Sequence, residues 1–208
     1  MMQLYTAAAP NGRRALLVIE ELKLPYTLHL LDLAKRDQDQ PEFRRLNPLG
    51  HVPVLIDPNG FDGKPVTVRQ SGAVIFYLAQ KAGRLIPRDE AKRIRAEQFS
   101  WMALSDIAAA STTIFLGSKF ESGASKGIVD LFRGRMNAYL RYVDHELVSR
   151  RFLCDELSVA DFALLPLVLL PHIGEAIDEI AAENIKRWFT EMMTRPAVQR
   201  ALAISAHH

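Results

Sequence analysis

Close to residue 85 the sequence changes its period, and that change limits the folds open to the chain. Before residue 80, short apolar and β-branched runs are separated by Pro, Gly and Asn turns and by helical stretches. After residue 89, only the three-to-four-residue spacing of amphipathic helices remains. Residues 81–89, with Gly83 and Pro87, read as the linker. The expectation is therefore an α/β domain over 1–80, a linker over 81–89 and an all-helical domain over 90–208. A cleft between two such domains is the default place for a ligand.

In the first half, residues 2–5 form a short apolar run that fits a buried strand, and Pro10 and Gly12 close it. Asn11 is placed as a helix cap or in the turn just before the helix. Ala15, Leu16, Ile19 and Leu22 then repeat at helical spacing, with Arg14, Glu20 and Glu21 expected on the wetter side. Pro25 ends the helix, because a residue before proline is biased out of the helical region, and 26–31 reads as a second strand. Two strands flanking a helix within residues 2–31 form the right-handed unit of a parallel sheet. A polar loop over 32–39 leads to a short helix over 41–46 with Pro41 in its first turn. Residues 54–56 and 65–68 read as a hairpin around the turn of Asp57, Pro58, Asn59 and Gly60. Ser71 is expected to cap a third helix whose apolar side is Ala73, Val74, Tyr77 and Leu78.

Just ahead of that hairpin, Pro53 stands at the start of a strand, where a missing N–H costs no ladder bond and a cis peptide is most at home. The order β-α-β-α-β-β-α suggests a thioredoxin-like domain. It carries Ala9, Pro10, Asn11 and Gly12 where a redox module would place Cys-x-x-Cys. Any thiol chemistry must then use a thiol brought from outside.

The second half begins with a long helix expected over 93–110. A break over 117–127 precedes another helix over 128–147, with Phe132, Met136, Tyr139, Leu140 and Val143 on its inner side. Leu157, Ser158, Asp161 and Phe162 have the spacing of a capping box with a hydrophobic staple, which makes Asp161 a folding residue and not an acid for chemistry. Residues 185–193 and 197–202, the latter opened by Pro196, read as the last helices.

Composition narrows the function. A formal charge of +2 and scattered basic residues give no nucleic-acid footprint. One cysteine, Cys154, cannot form an internal disulfide and fits a reducing compartment. The N-terminal residues lack a signal-peptide pattern, and the most apolar run, 162–170, is too short to span a membrane. Together these imply a cytoplasmic protein. His29, His51, His145, His172 and the terminal pair His207 and His208 have no metal-ligand spacing, so no metal is expected.

Three motifs carry a resemblance. Asn47-Pro-Leu-Gly-His-Val-Pro-Val-Leu55, then Gln70-Ser-Gly-Ala-Val-Ile-Phe-Tyr-Leu78, then Leu157-Ser-Val-Ala-Asp161 resemble the cytosolic glutathione transferase family, in order and at family spacing. Residues 7–13 look most like its bacterial Nu-type branch and the fungal prion-protein relatives. The resemblance implies a thioredoxin-like domain that binds glutathione and a C-terminal helical bundle that contributes the acceptor pocket. It implies a cis Pro53, with Val52 offering its backbone to the cysteinyl part of glutathione. Gln70 and Ser71 would hold the γ-glutamyl end, with Gln38 and His51 as further contacts. Asn11 matches the thiolate-stabilising position, and Ala9 stands where relatives place a hydroxyl.

Glutathione would be a cosubstrate, the second substrate a small electrophile or disulfide, and the protein a homodimer with no nucleic-acid or membrane partner. Three functions stay open: conjugation or glutathione-dependent disulfide reduction, a non-catalytic glutathione-binding or assembly protein, and a specialised isomerase or ether-cleaving enzyme.

Overall fold

The computed structural model describes residues 1–119 and 123–206. They form two compact units: Met1–Ile86 joined by the chain's end from Thr194, and Pro87–Met193. The expected helical domain over 90–208 is thus too long at its C-terminal end. The last helix belongs with the α/β unit.

In that first unit β1 (Met2–Thr6), β2 (Tyr26–Leu30), β3 (Val54–Asp57) and β4 (Val66–Arg69) make one sheet in the order β2-β1-β3-β4. β1 and β2 are parallel, with Thr6 beside Leu30. β3 runs antiparallel to both neighbours, so Val54 pairs with Tyr5 on one side and Arg69 on the other. Along β1 the pleat buries Met2, Leu4 and Thr6 and leaves Gln3 and Tyr5 half-buried. α1 (Pro10–Leu22) packs against α3 (Ser71–Ala82) and α10 (Pro196–Ala206). α2 (Pro41–Leu46) brings Phe43 into a small cluster with Leu31, Val54 and Tyr5.

α1 is enclosed more completely than an amphipathic reading allows. Ala15, Leu16, Leu17, Val18 and Ile19 are all buried, and so are Arg14 and Glu21, which the sequence placed on the wet side. Glu20 is half-buried. The cause is α10. Arg195 grips Glu21 at 2.6 and 3.3 Å, and Arg200 donates to Glu20 at 2.8 Å. α1 stops at Lys23, which is left-handed at φ 56° and returns its N–H to Glu20 O before Pro25. The hairpin is tied to α3 through Asp57, which accepts from Tyr77 Oη at 2.7 Å and pairs with Lys81 at 2.8 Å.

The second unit is helical. α4 (Glu90–Trp101) runs through a π-helical turn, Met102–Ile107, into α5 (Ala108–Gly117). This makes 28 continuous residues, where the sequence reading stopped near 110. The stretch has the length and composition of a membrane span. Its first turns nevertheless carry Glu90, Lys92, Arg93, Arg95 and Glu97, while Phe99, Ala103, Ile107 and Ile114 are buried in the unit's core. α6 (Gly123–Glu146) starts earlier than expected, and residues 120–122 of the anticipated break lie outside the described residues. So do His207 and His208. α7 (Val159–Val168) is buried at every position, which explains its unbroken apolar run. Pro171 opens α8 (Pro171–Glu179), a helix the sequence reading lacked, before α9 (Glu183–Met193).

The capping box forms as its spacing dictates. Ser158 Oγ accepts from Ala160 N at 3.2 Å, and Asp161 accepts from Ser158 N at 2.9 Å. Asp161 also takes the N–H of Leu153 at 3.1 Å and the indole N–H of Trp188 at 2.9 Å.

Candidate functional site at one end of the sheet

Strand direction gathers the candidates. β1 and β2 end, β3 begins and β4 ends at the same edge of the sheet, because Thr6 pairs with Leu30 and Val54 pairs with both Tyr5 and Arg69. Asn11 follows β1, Gln38 follows β2, Val52 and Pro53 precede β3, and Gln70 and Ser71 follow β4. Every expected site residue therefore comes from a connection at that edge.

The loop into β3 is held by its own side chains. The Val52–Pro53 peptide is cis. Asn47, buried, donates through Nδ2 to His51 O at 2.7 Å, and its carbonyl accepts from Gly50 N at 2.8 Å. Gly50 is left-handed at φ 65°, and a Cβ there would lie 2.7 Å from Arg44 Cζ. That arginine donates to Pro48 O at 2.6 Å and to Asp39 at 2.5 Å. Asp39 also receives Arg36 Nε at 2.7 Å, and these two guanidinium groups hold its carboxyl below the usual range. Gln38 lies beside Asp39 in a 3₁₀ turn, Asp37–Asp39, and its Oε1 is buried without a protein partner. The His51 ring is exposed, and only its carbonyl joins the network.

A second cluster joins the starts of two helices. α1 is capped by Ala9, which is extended and makes no side-chain capping bond. Asn11 is neither the cap nor in a turn before the helix, as the sequence suggested. It sits in the first helical turn, since Pro10 supplies the first residue. Gly12 permits that turn to press onto β1: a Cβ would come 2.3 Å from Ala7 O and 2.6 Å from Thr6 Oγ1. Arg14 Nη1 donates to Asn11 Oδ1 and lies 3.4 Å from Ser71 Oγ. Ser71 Oγ in turn lies 3.4 Å from Asn11 Oδ1. At α3 the cap is Gln70 and not Ser71, which is the first helical residue and is buried. Gln70 holds φ 72° and ψ 127°, a conformation that is costly for a side-chain-bearing residue and persists only where the surroundings enforce it.

The electrostatics favour an anion. Two helix N-termini present first-turn N–H groups and the positive ends of their dipoles. Arg14 adds a cation only 1% exposed. Burial lowers its pKa to about 10, which leaves it charged at neutral pH. The sequence reading missed Arg14. Its signal was a basic residue three positions after Asn11, one turn along the same helix face.

Tyr5 and Cys154 have structural surroundings. Tyr5 stacks on His29 with centroids 4.1 Å apart and donates to Gln3, among the cluster under α2. Cys154 is buried in the helical unit and donates to Ser158 Oγ at 2.7 Å. Burial, with Asp161 nearby, pushes its thiol up to about 12.

A thioredoxin-like sheet without a cysteine pair, a cis proline before β3 and a separate helical unit define a glutathione-transferase-like protein. Comparison with known proteins agrees. Residues 8–81 match the glutathione S-transferase N-terminal domain and residues 106–196 the glutathione S-transferase C-terminal domain. Glutathione S-transferase hmp2 of Hypomyces subiculosus is 31% identical over 98% of this chain and 98% of its own. The disulfide-bond oxidoreductase YfcG of Escherichia coli is 29% identical over 97% and 94%. Among solved structures, a Burkholderia graminis glutathione transferase with two glutathione molecules bound per subunit superposes with a TM-score of 0.88. It is 35% identical over 97% of this chain and 87% of its own. A Pseudomonas putida glutathione transferase with one glutathione disulfide bound per subunit gives 0.87, at 30% identity over 97% and 90%. The chain belongs to the glutathione S-transferase family.

Proposed function

We propose that this protein is a glutathione transferase of the Nu-type branch whose main reaction is glutathione-dependent reduction of small disulfides. The observation that carries the reading is the cis Val52–Pro53 peptide at the same sheet edge as Asn11, Arg14 and Ser71. Val52 pairs its backbone with the cysteinyl part of glutathione. Ser71, at the start of α3, takes the γ-glutamyl carboxylate, and the Gln70 side chain accepts from the γ-glutamyl ammonium. His51 addresses the glycyl carboxylate, and Gln38, whose buried carbonyl oxygen lacks a protein partner, is a further contact able to accept from a glutathione N–H.

Catalysis rests on the thiolate. A cysteine-type thiol has a pKa of about 8.5, and the thiolate is the attacking form. Asn11, through its amide N–H, and the N-terminus of α1 stabilise that anion beside the acceptor. In disulfide reduction the first glutathione thiolate attacks a sulfur of RSSR. A new S–S bond forms and RS⁻ departs. A second glutathione thiolate attacks the mixed disulfide at the glutathionyl sulfur, giving glutathione disulfide and the second RS⁻. The two protons released by the glutathione thiols end on the two product thiols. The relative named a disulfide-bond oxidoreductase and the neighbours crystallised with two glutathiones or with glutathione disulfide support this order of preference.

The same reading gives the helical unit the acceptor surface, pairs two subunits as a homodimer and places the protein in the cytoplasm. The test is an assay of an aromatic halide, an organic peroxide and a small mixed disulfide, each with glutathione. Turnover should be highest with the disulfide. Turnover confined to the halide overturns the preferred reaction, and a titration without glutathione binding overturns the site.

A further inference from the structure

We propose that Arg14 is a positioning residue that fixes which end of the Asn11 amide faces the ligand. The inference rests on the glutathione-site reading. Asn11 Oδ1 is engaged from the protein side by Arg14 Nη1 and lies 3.4 Å from Ser71 Oγ. An amide with its oxygen so occupied turns its NH₂ the other way, and the two ends of an asparagine are assigned by such networks. The outward end is then a donor, which an anionic sulfur requires and a carbonyl would repel. Arginine suits the task because its terminal Nη1 carries two N–H groups held in the guanidinium plane: one meets Asn11 Oδ1 and the other faces Ser71 Oγ at 3.4 Å, linking the first turn of α1 to the first turn of α3. Its near-complete burial fixes the guanidinium, and truncation there would disturb more than the bond. The informative change is therefore Arg14→Lys, which keeps the charge but ends one atom short of Nη1 and loses its fixed plane.

The readout is the pKa of bound glutathione, followed through the ultraviolet absorbance of its thiolate against pH. Four proteins are compared: wild type, Arg14→Lys, Asn11→Ala and the double variant. Arg14→Lys alone should cut the thiolate fraction at pH 7 about threefold to tenfold, the scale of one hydrogen bond. On the Asn11→Ala background the same change should add nothing, because the residue it positions is gone. An equal effect on both backgrounds overturns the positioning role and leaves a simple through-space charge. If Asn11→Ala itself leaves the thiol pKa unchanged, the Asn11 assignment falls, and this inference falls with it for that separate reason. Asn11→Asp guards against a poorly folding Arg14→Lys. A carboxylate keeps an oxygen on Arg14, so thermal stability should hold while the thiolate fraction drops. An undiminished thiolate fraction in Asn11→Asp contradicts the proposed orientation.

Discussion

Single side chains decide whether this fold carries chemistry. In the proposed reaction Asn11 is an electrostatic helper, and Asn11→Ala should lower kcat for a mixed disulfide about tenfold at neutral pH through a smaller thiolate fraction, the scale of one lost hydrogen bond to an anion, with KM for glutathione changing less. Steady-state kinetics at saturating glutathione checks this. Cys154 is the reverse case. Its buried, proton-holding thiol has neither exposure nor an electropositive setting. Cys154→Ser should keep full turnover, and a loss of turnover with the fold intact would make it a redox residue. Residue identity in the sequence pointed to Asn11, Pro53 and Ser71 because each sits at a turn or helix start with its own local signature. Arg14 left no such mark. A charged residue on a helix reads as solvated, and only the packing of α3 against α1 turns it inward.

At the level of elements, one carboxylate in each unit ties its neighbours together. The first is the Asp57 carboxylate, which locks the hairpin to α3. Burial alone would raise its pKa, but Lys81, Tyr77 and the N–H of Asn59 outweigh that and hold it below the usual value of 3.8. A lowered carboxylate pKa gives stability that is complete above the unfolded value and is lost as pH falls through the folded one. Tyr77→Phe should cost about 1 kcal/mol near neutral pH. The penalty should shrink below about pH 4, measured as the Tm difference from wild type across pH. The second is Asp161. Asp161→Ala would strand the N–H groups of Leu153, Ser158 and Trp188 inside the helical unit. Denaturant unfolding should show a loss of about 3 kcal/mol or more.

The elements themselves were largely readable. The period-two runs, Pro41, Pro53 and the Ser158 box have local physical causes, and the strands and helices they signal are present. Three features escaped for non-local reasons. The π-helical turn carries no break residue, so 93–110 read as a helix that simply ended. α8 is short and follows an apolar run that masks its own period. Gln70's backbone is set by the strand and helix it joins, and glutamine gives no warning of a positive φ.

On the scale of the whole molecule, the chain's end is part of the α/β unit. α10 and the residue before it cover α1, through Arg200 and Arg195. Sequence order placed it in the helical domain because a helix after helices gives no sign of where it docks. Since glutathione binds only the folded state in this account, it should raise the melting temperature as its concentration rises above Kd, by the usual linkage.

In the proposed function Ser71 and Gln70 complete a glutathione site with the Val52–Pro53 loop. Calorimetric titration of glutathione into wild type, Ser71→Ala and Cys154→Ser tests it most directly. Binding should be saturable in wild type and in Cys154→Ser, with affinity about tenfold or more weaker in Ser71→Ala, as loss of one hydrogen bond to a charged group requires. Equal affinity in Ser71→Ala, or no binding by the wild type, would contradict it.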